Sequence, residues 1–164
     1  MGLKFLFVSL FSFTAFFSAN SIEEIREAYI DAAQSEKALK ELYSDLTSVA
    51  KNDDPTKVAY KGAVTTMMAR YADGYKAKKD YFKDGKELLE HAIEADSKNV
   101  EIRCLRLSIQ ENLPKILGYH RNVEEDKDYI LEHYKELKSQ GAKNFVKGYI
   151  KKSESFSEEE KQLF

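Results

Sequence analysis

The 164-residue chain sets 26 Lys and Arg against 28 Asp and Glu, a net charge of −2, so it lacks the strongly basic footprint of a dedicated nucleic-acid binder. Hydrophobic residues make up 43% and charged residues 33%, a globular rather than disordered composition, and the length suits one domain. Seven Gly and two Pro favour long regular elements over a turn-rich β fold.

Residues 1–21 are expected to be a signal peptide. Lys4 supplies the charged start, "FLFVSLFSFTAFF" the apolar middle, and Ala19-Asn20-Ser21 a small-x-small end, which places cleavage between Ser21 and Ile22. The apolar run is shorter than the roughly 20 residues a membrane span needs, so no stable membrane insertion is expected after its removal. No Cys directly follows the run to take a lipid, and no Asn-x-Ser/Thr acceptor is present. A single Cys allows no internal disulfide, so packing must hold the fold. These features point to a bacterial protein, periplasmic or secreted.

Residues 22–164 read as a single all-helical domain. Ser21 and Glu24 form a capping box ahead of the stripe Ile22, Ile25, Tyr29, Ala32. Ser35 caps a second helix carrying Leu39, Leu42, Leu46 and Val49. "KNDDP" breaks the chain; Asp54 then caps a third helix with Pro55 in its first turn, running through Ala59, Gly62, Ala63 and Met67 to Tyr71. A break near Gly74 precedes a fourth helix with Phe82, Gly85, Leu89, Ala92 and Ile93. After a turn at Asp96-Ser97-Lys98-Asn99, a fifth helix runs from Val100 and is ended by Pro114. Gly118 stops a short irregular connection. Asn122 and Glu125 cap a sixth helix, with Val123, Asp126, Ile130, Tyr134 and Leu137 along one side and Gly141 as its stop. A seventh helix spans 143–152, and Ser157 with Glu160 caps a final turn. No segment alternates like a strand. The short connections predict an all-α fold of antiparallel helical hairpins, either stacked or closed into a bundle.

Gly85, Leu89, Ala92 and Ser97 have the spacing of a small residue, a large apolar residue, an Ala and a turn residue. This pattern resembles the second helix of a tetratricopeptide repeat. The resemblance implies a right-handed stack of hairpins. In the next unit Glu101 and Ile102 fit, whereas Arg103 and Arg106 stand where that repeat carries apolar groups. The stretch "EIRCLRLSIQENLPKILGY" is also similar to one in a group of small exported bacterial helical proteins. That likeness implies export and helices, and carries no functional residues.

His91, His120 and His133 lack metal-ligand spacing, and no metalloprotease, paired-Cys or phosphate-loop pattern occurs. No metal or cofactor is expected. No nucleophile, base and orienter can be assembled, so the protein is expected not to be an enzyme. Cys104 reads as a buried small hydrophobe. Arg103, Arg106 and Gln110 share one helix face, and Asn112, Tyr119 and His120 lie in the following turn. Together they could clamp a carboxylate or phosphate. The competing assignment pairs Arg103 with Glu94 and Arg106 with Glu90 across a helical hairpin. The run "YADGYKAKKDYFKDGK" interleaves lysines with aromatics and reads as core tyrosines beside a solvated Lys face. The expected function is an exported, non-enzymatic helical scaffold that binds a protein or peptide of the envelope or of the secreted fraction. The alternative is a small anionic ligand held by Arg103 and Arg106.

Overall fold

The computed structural model describes residues 21–164. The expected signal peptide lies, except for Ser21, outside the described residues. The described chain holds eight α-helices and no strand: α1 (Ile22–Ala32), α2 (Glu36–Asp45), α3 (Pro55–Met68), α4 (Gly74–Ala95), α5 (Val100–Asn112), α6 (Val123–His133), α7 (Gln140–Ile150) and α8 (Glu158–Lys161). The all-α expectation therefore stands.

Local chemistry explains most boundaries. The Ser21 hydroxyl accepts from the Glu24 N–H, and the Glu24 carboxylate accepts from the Ser21 N–H at 2.6 Å, a complete capping box. Asp54 caps α3 by accepting from the Thr56 and Lys57 amides, and Asn99 caps α5 by accepting from Glu101 and Ile102. Gly74 opens α4 and Gly118 closes the turn after Pro114, with φ of 78° and 64°, values that suit only glycine at little cost.

Several boundaries differ from expectation: α3 ends at Met68 rather than Tyr71, and α7 spans Gln140–Ile150 rather than 143–152. Helix α2 stops at Asp45, and a 3-10 turn over Leu46–Ser48 delivers buried Val49 to the core. Asn122 does not cap α6; its side-chain amide instead donates to Glu125 Oε2 at 2.9 Å. Helix α6 ends at His133, eight residues before the expected glycine stop, in a 3-10 turn over Tyr134–Glu136. Ser139 then caps α7, which begins at Gln140, so Gly141 lies in a first turn rather than after a last one.

The pairs α1–α2, α3–α4 and α5–α6 lie side by side, and α3 packs on both α1 and α5. Helix α7 touches α5 and also reaches back to α1. Paired hairpins and a closed ring of first helices thus coexist. Tyr29, Tyr60 and Phe145, from α1, α3 and α7, meet edge to face with centroids 5.3 to 5.9 Å apart. This is favourable quadrupole geometry at the point where the ring closes.

The closest helix pair is α3–α4. A Cβ on Gly62 would fall 2.8 Å from the Leu89 backbone N, and one on Gly85 would fall 2.6 Å from the Gly62 carbonyl oxygen. The small residue expected at 85 is therefore needed for backbone contact, and Gly62 is its counterpart on the facing helix.

A buried fork ties α1 to α5. Arg26 donates from Nε and Nη2 to the two carboxylate oxygens of Glu101 at 2.7 and 2.8 Å, and the Tyr60 hydroxyl donates to Glu101 Oε1 at 2.8 Å. At the chain's end, Glu111 accepts from the Tyr149 and Ser153 hydroxyls and from the Glu154 and Ser155 amides. That carboxylate holds the segment after α7 against α5.

Candidate functional site

Arg103 and Arg106 do share a face of α5, and both are buried. Arg106 donates from Nε and Nη2 to Asp126 Oδ2 and Oδ1 at 2.7 and 2.8 Å, and from Nη1 to Glu90 at 3.1 Å. Arg103 donates from Nη1 to Asp126 at 2.8 Å and to Glu125 at 3.0 Å, and from Nε to the Ser97 carbonyl at 2.8 Å. Its guanidinium lies 4.2 Å from the centroid of the Tyr129 ring, a cation–π contact. The expected Arg106–Glu90 pair is present. The expected Arg103–Glu94 pair is not, because the first turn of α6 brings Glu125 and Asp126 against Arg103 instead.

Asp126 is 0% exposed and shared by both arginines. Burial pushes its carboxyl above the usual range, and the bonds from Arg106 and Arg103 pull against that shift. A carboxylate of this chain thus occupies the place where an anionic ligand was expected. The cluster ties α4, α5 and α6 together and leaves no open anion clamp.

The other residues expected at this site are dispersed. Tyr119 is buried and its hydroxyl donates to Glu90, completing a chain from the 113–122 connection to Arg106. Burial first, then the hydrogen bond to Glu90, raises its phenol above the ordinary range. His120 pairs through Nε2 with the Leu113 carbonyl at 3.0 Å. Exposed Asn112 donates to the Ser108 carbonyl at 2.9 Å. Gln110 is 0% exposed, and neither of its side-chain polar atoms has a partner among the described residues. Cys104 is fully buried, and burial raises its thiol well above the ordinary value, so it is an inert core residue.

A different part of α5 contributes to an open site. A cavity of about 510 Å³ lies between the end of α3, the start of α4 and the end of α5. Met67 and Ala69 form one wall, Tyr75 and Phe82 a second, and Ile109, Leu113, Pro114 and Leu117 a third. Arg70, Lys78 and Lys79, all exposed, stand at its edge, and no acidic side chain lines it. These three cations form no hydrogen bond or ion pair among the described residues. Tyr75 is 82% exposed beside the opening, and Leu117 is also exposed. Such a cavity is within the ~300–1,000 Å³ range of small-molecule sites and has their mainly apolar lining.

None of the residues first expected to bind a ligand lines this cavity except Asn112. The lysine–aromatic run on α4, expected to give core aromatics beside a solvated Lys face, supplies Tyr75, Lys78, Lys79 and Phe82 to the cavity, and Tyr75 is exposed rather than core. Among the described residues there is no cluster of His, Cys, Asp and Glu fit for a metal ion, and no helix long and apolar enough to cross a membrane. No protein-family model, curated protein or solved structure matches the chain.

Proposed function

We propose that this is an exported, non-enzymatic helical binding protein that works through the cavity between α3, α4 and α5. The observation carrying this reading is that cavity: about 510 Å³, mostly apolar, and bordered by three unpartnered cations. Of its uncharged polar lining side chains, Thr66 and Asn112 already donate to backbone carbonyls of this chain, and neither is a nucleophile beside a base. The resemblance of α4 to a tetratricopeptide helix adds the prior that such hairpins present grooves to partners, although fold alone never supplies a function. Export rests on the composition of residues 1–21.

The test is saturable binding of a neutral solvatochromic dye, with Ala69→Trp to fill the cavity and Asn112→Trp to obstruct its rim. Both variants are expected to keep the helical circular dichroism signal and lose dye binding. Failure to bind the wild-type protein, or binding indifferent to both variants, rejects the cavity as the working site. A protein or peptide partner remains the second reading. It is favoured by Ile116, 94% exposed, which lies outside the cavity and which a small ligand would leave uncovered.

A further inference from the structure

We infer that the occupant of this cavity is a single-chain amphiphile with an anionic head, of which a long-chain alkyl carboxylate is the simplest example. The inference rests on the cavity being the working site and adds the chemical class of its ligand.

The walls decide the tail. Apolar side chains from three helices line the interior, and Thr66 Oγ1 is committed to the Gly62 carbonyl at 2.9 Å. Asn112 stands exposed on the rim with its amide donating to the Ser108 carbonyl. A peptide backbone entering the interior would bring amide groups that find few partners there, which is costly. A whole helix, about 10–12 Å across with its side chains, is too thick for a space of about 510 Å³. A hydrocarbon chain has no polar group to satisfy and loses only its contact with water.

The rim decides the head. Arg70 comes from the turn that follows α3, and Lys78 and Lys79 from the second turn of α4, so cations from two separate segments flank the same opening. They are exposed and without a counter-charge among the described residues, and no carboxylate lines the cavity to oppose an incoming anion. Long basic side chains can lay their stems along the apolar wall and keep their charge at the water's edge. A ligand head held there stays hydrated while the tail is buried. A neutral amphiphile would leave the three charges unused, and a cationic one would be repelled.

The experiment is competition against the neutral dye using dodecanoate, dodecanol and dodecylammonium, on the wild type and on the triple variant Arg70→Gln, Lys78→Gln, Lys79→Gln. Dodecanoate is expected to displace dye at about tenfold lower concentration than dodecanol, with dodecylammonium weakest, and added salt should narrow the difference. The triple variant, altered only at exposed positions, should lose the preference for the carboxylate, the ratio of dodecanoate to dodecanol potency falling to about one whatever happens to the affinity for the tail. Equal potency of dodecanoate and dodecanol, or a preference that survives the triple variant, overturns the inference while leaving dye binding, and so the cavity itself, intact. Two further arms identify other sources of negative charge. Dye displacement by an acidic amphipathic peptide but not by dodecanoate would assign the site to a protein partner. Co-sedimentation with anionic phospholipid vesicles that dodecanoate does not release would assign it to a membrane surface. Either result overturns the inference.

Discussion

Asp126 on α6 receives both the Nε–H and an Nη2–H of Arg106 on α5, at 2.7 and 2.8 Å, with the carboxylate wholly out of solvent. The paired planes give this fork its direction, and Arg103 adds a third bond to the same carboxylate. Asp126→Ala would leave two guanidiniums buried with one carboxylate fewer, and is expected to destabilise by about 3–5 kcal/mol. The combined change of Arg103→Met, Arg106→Met and Asp126→Leu removes the charges together and should cost far less, because no buried charge is left unpaired. Urea denaturation of both proteins measures the contrast. An Asp126→Ala midpoint equal to wild type would mean that the fork contributes nothing to stability.

Much of the fold was legible because each helix carries its own signals. Ser21 with Glu24, Asp54 with Pro55, and Asn99 mark starts through local hydrogen bonds, and the apolar stripes mark buried faces. The signals failed where tertiary packing decides. At Tyr134 and Leu137 the apolar stripe continues, but the backbone leaves the α-helix and still delivers both side chains to the core. Asp126 stood within an apolar stripe, a placement that marks a buried charge, yet its partners lie one helix away and 20 and 23 residues back. Arg26 and Glu101 are 75 residues apart, and nothing local announces their pairing. The Glu90 contact was readable because α4 and α5 are joined by one tight turn. The cavity arises where the ends of three helices fail to fill the space between them, which no local pattern encodes.

Gly85 and Gly148 give a contrast within one residue type. An added Cβ at Gly85 meets the Gly62 carbonyl and the backbone and hydroxyl of Thr66, and backbone atoms cannot swing aside. Gly85→Ala is therefore expected to destabilise by at least about 1–3 kcal/mol, the range for forced overpacking. Gly148, exposed in α7, has nothing within 4 Å of an added Cβ. Gly148→Ala should stabilise by about 0.5–1 kcal/mol through helix propensity alone. Thermal melts of the two variants should move in opposite directions; a shared direction would refute the close-approach argument.

Gln110 is a buried amide with neither polar atom partnered among the described residues. Such a group costs about 1–3 kcal/mol relative to a satisfied one, so Gln110→Met, similar in length and apolar, should raise stability by about 1 kcal/mol. Chemical denaturation reads the change. A loss of stability would show that the amide has a bonding role, and the variant's dye binding would then tell whether that role reaches the cavity.

The expected cleavage after Ser21 meets a physical objection, since Ser21 supplies both halves of the cap on α1 through its hydroxyl and its N–H. A chain beginning at Ile22 lacks that box and should be less stable than one beginning at Ser21 by about 0.5–2 kcal/mol. Melting two recombinant chains that differ only in this residue gives the difference. Equal melting temperatures would show that the cap contributes no net stability.

Four tyrosines predict an alkaline transition. Burial raises the phenol of Tyr29 to about 12, and burial first, then neighbouring carboxylates or the Cys104 sulfur, raises those of Tyr60, Tyr119 and Tyr149. Each folded phenol holds its proton more tightly than the unfolded one, whose ordinary value is 10.0. The stabilisation is therefore fully present below about pH 10 and is lost as the unfolded phenols ionise above it, until the folded phenols ionise in turn. The loss approaches about 1.4 kcal/mol per tyrosine for each pH unit in that window. Denaturation free energy should be flat below about pH 9 and fall steeply from about pH 10 towards about pH 12. Near-ultraviolet absorbance should show these four phenols ionising only with loss of the helical circular dichroism signal. All ten tyrosines titrating together while the helices persist would contradict the burial of these hydroxyls.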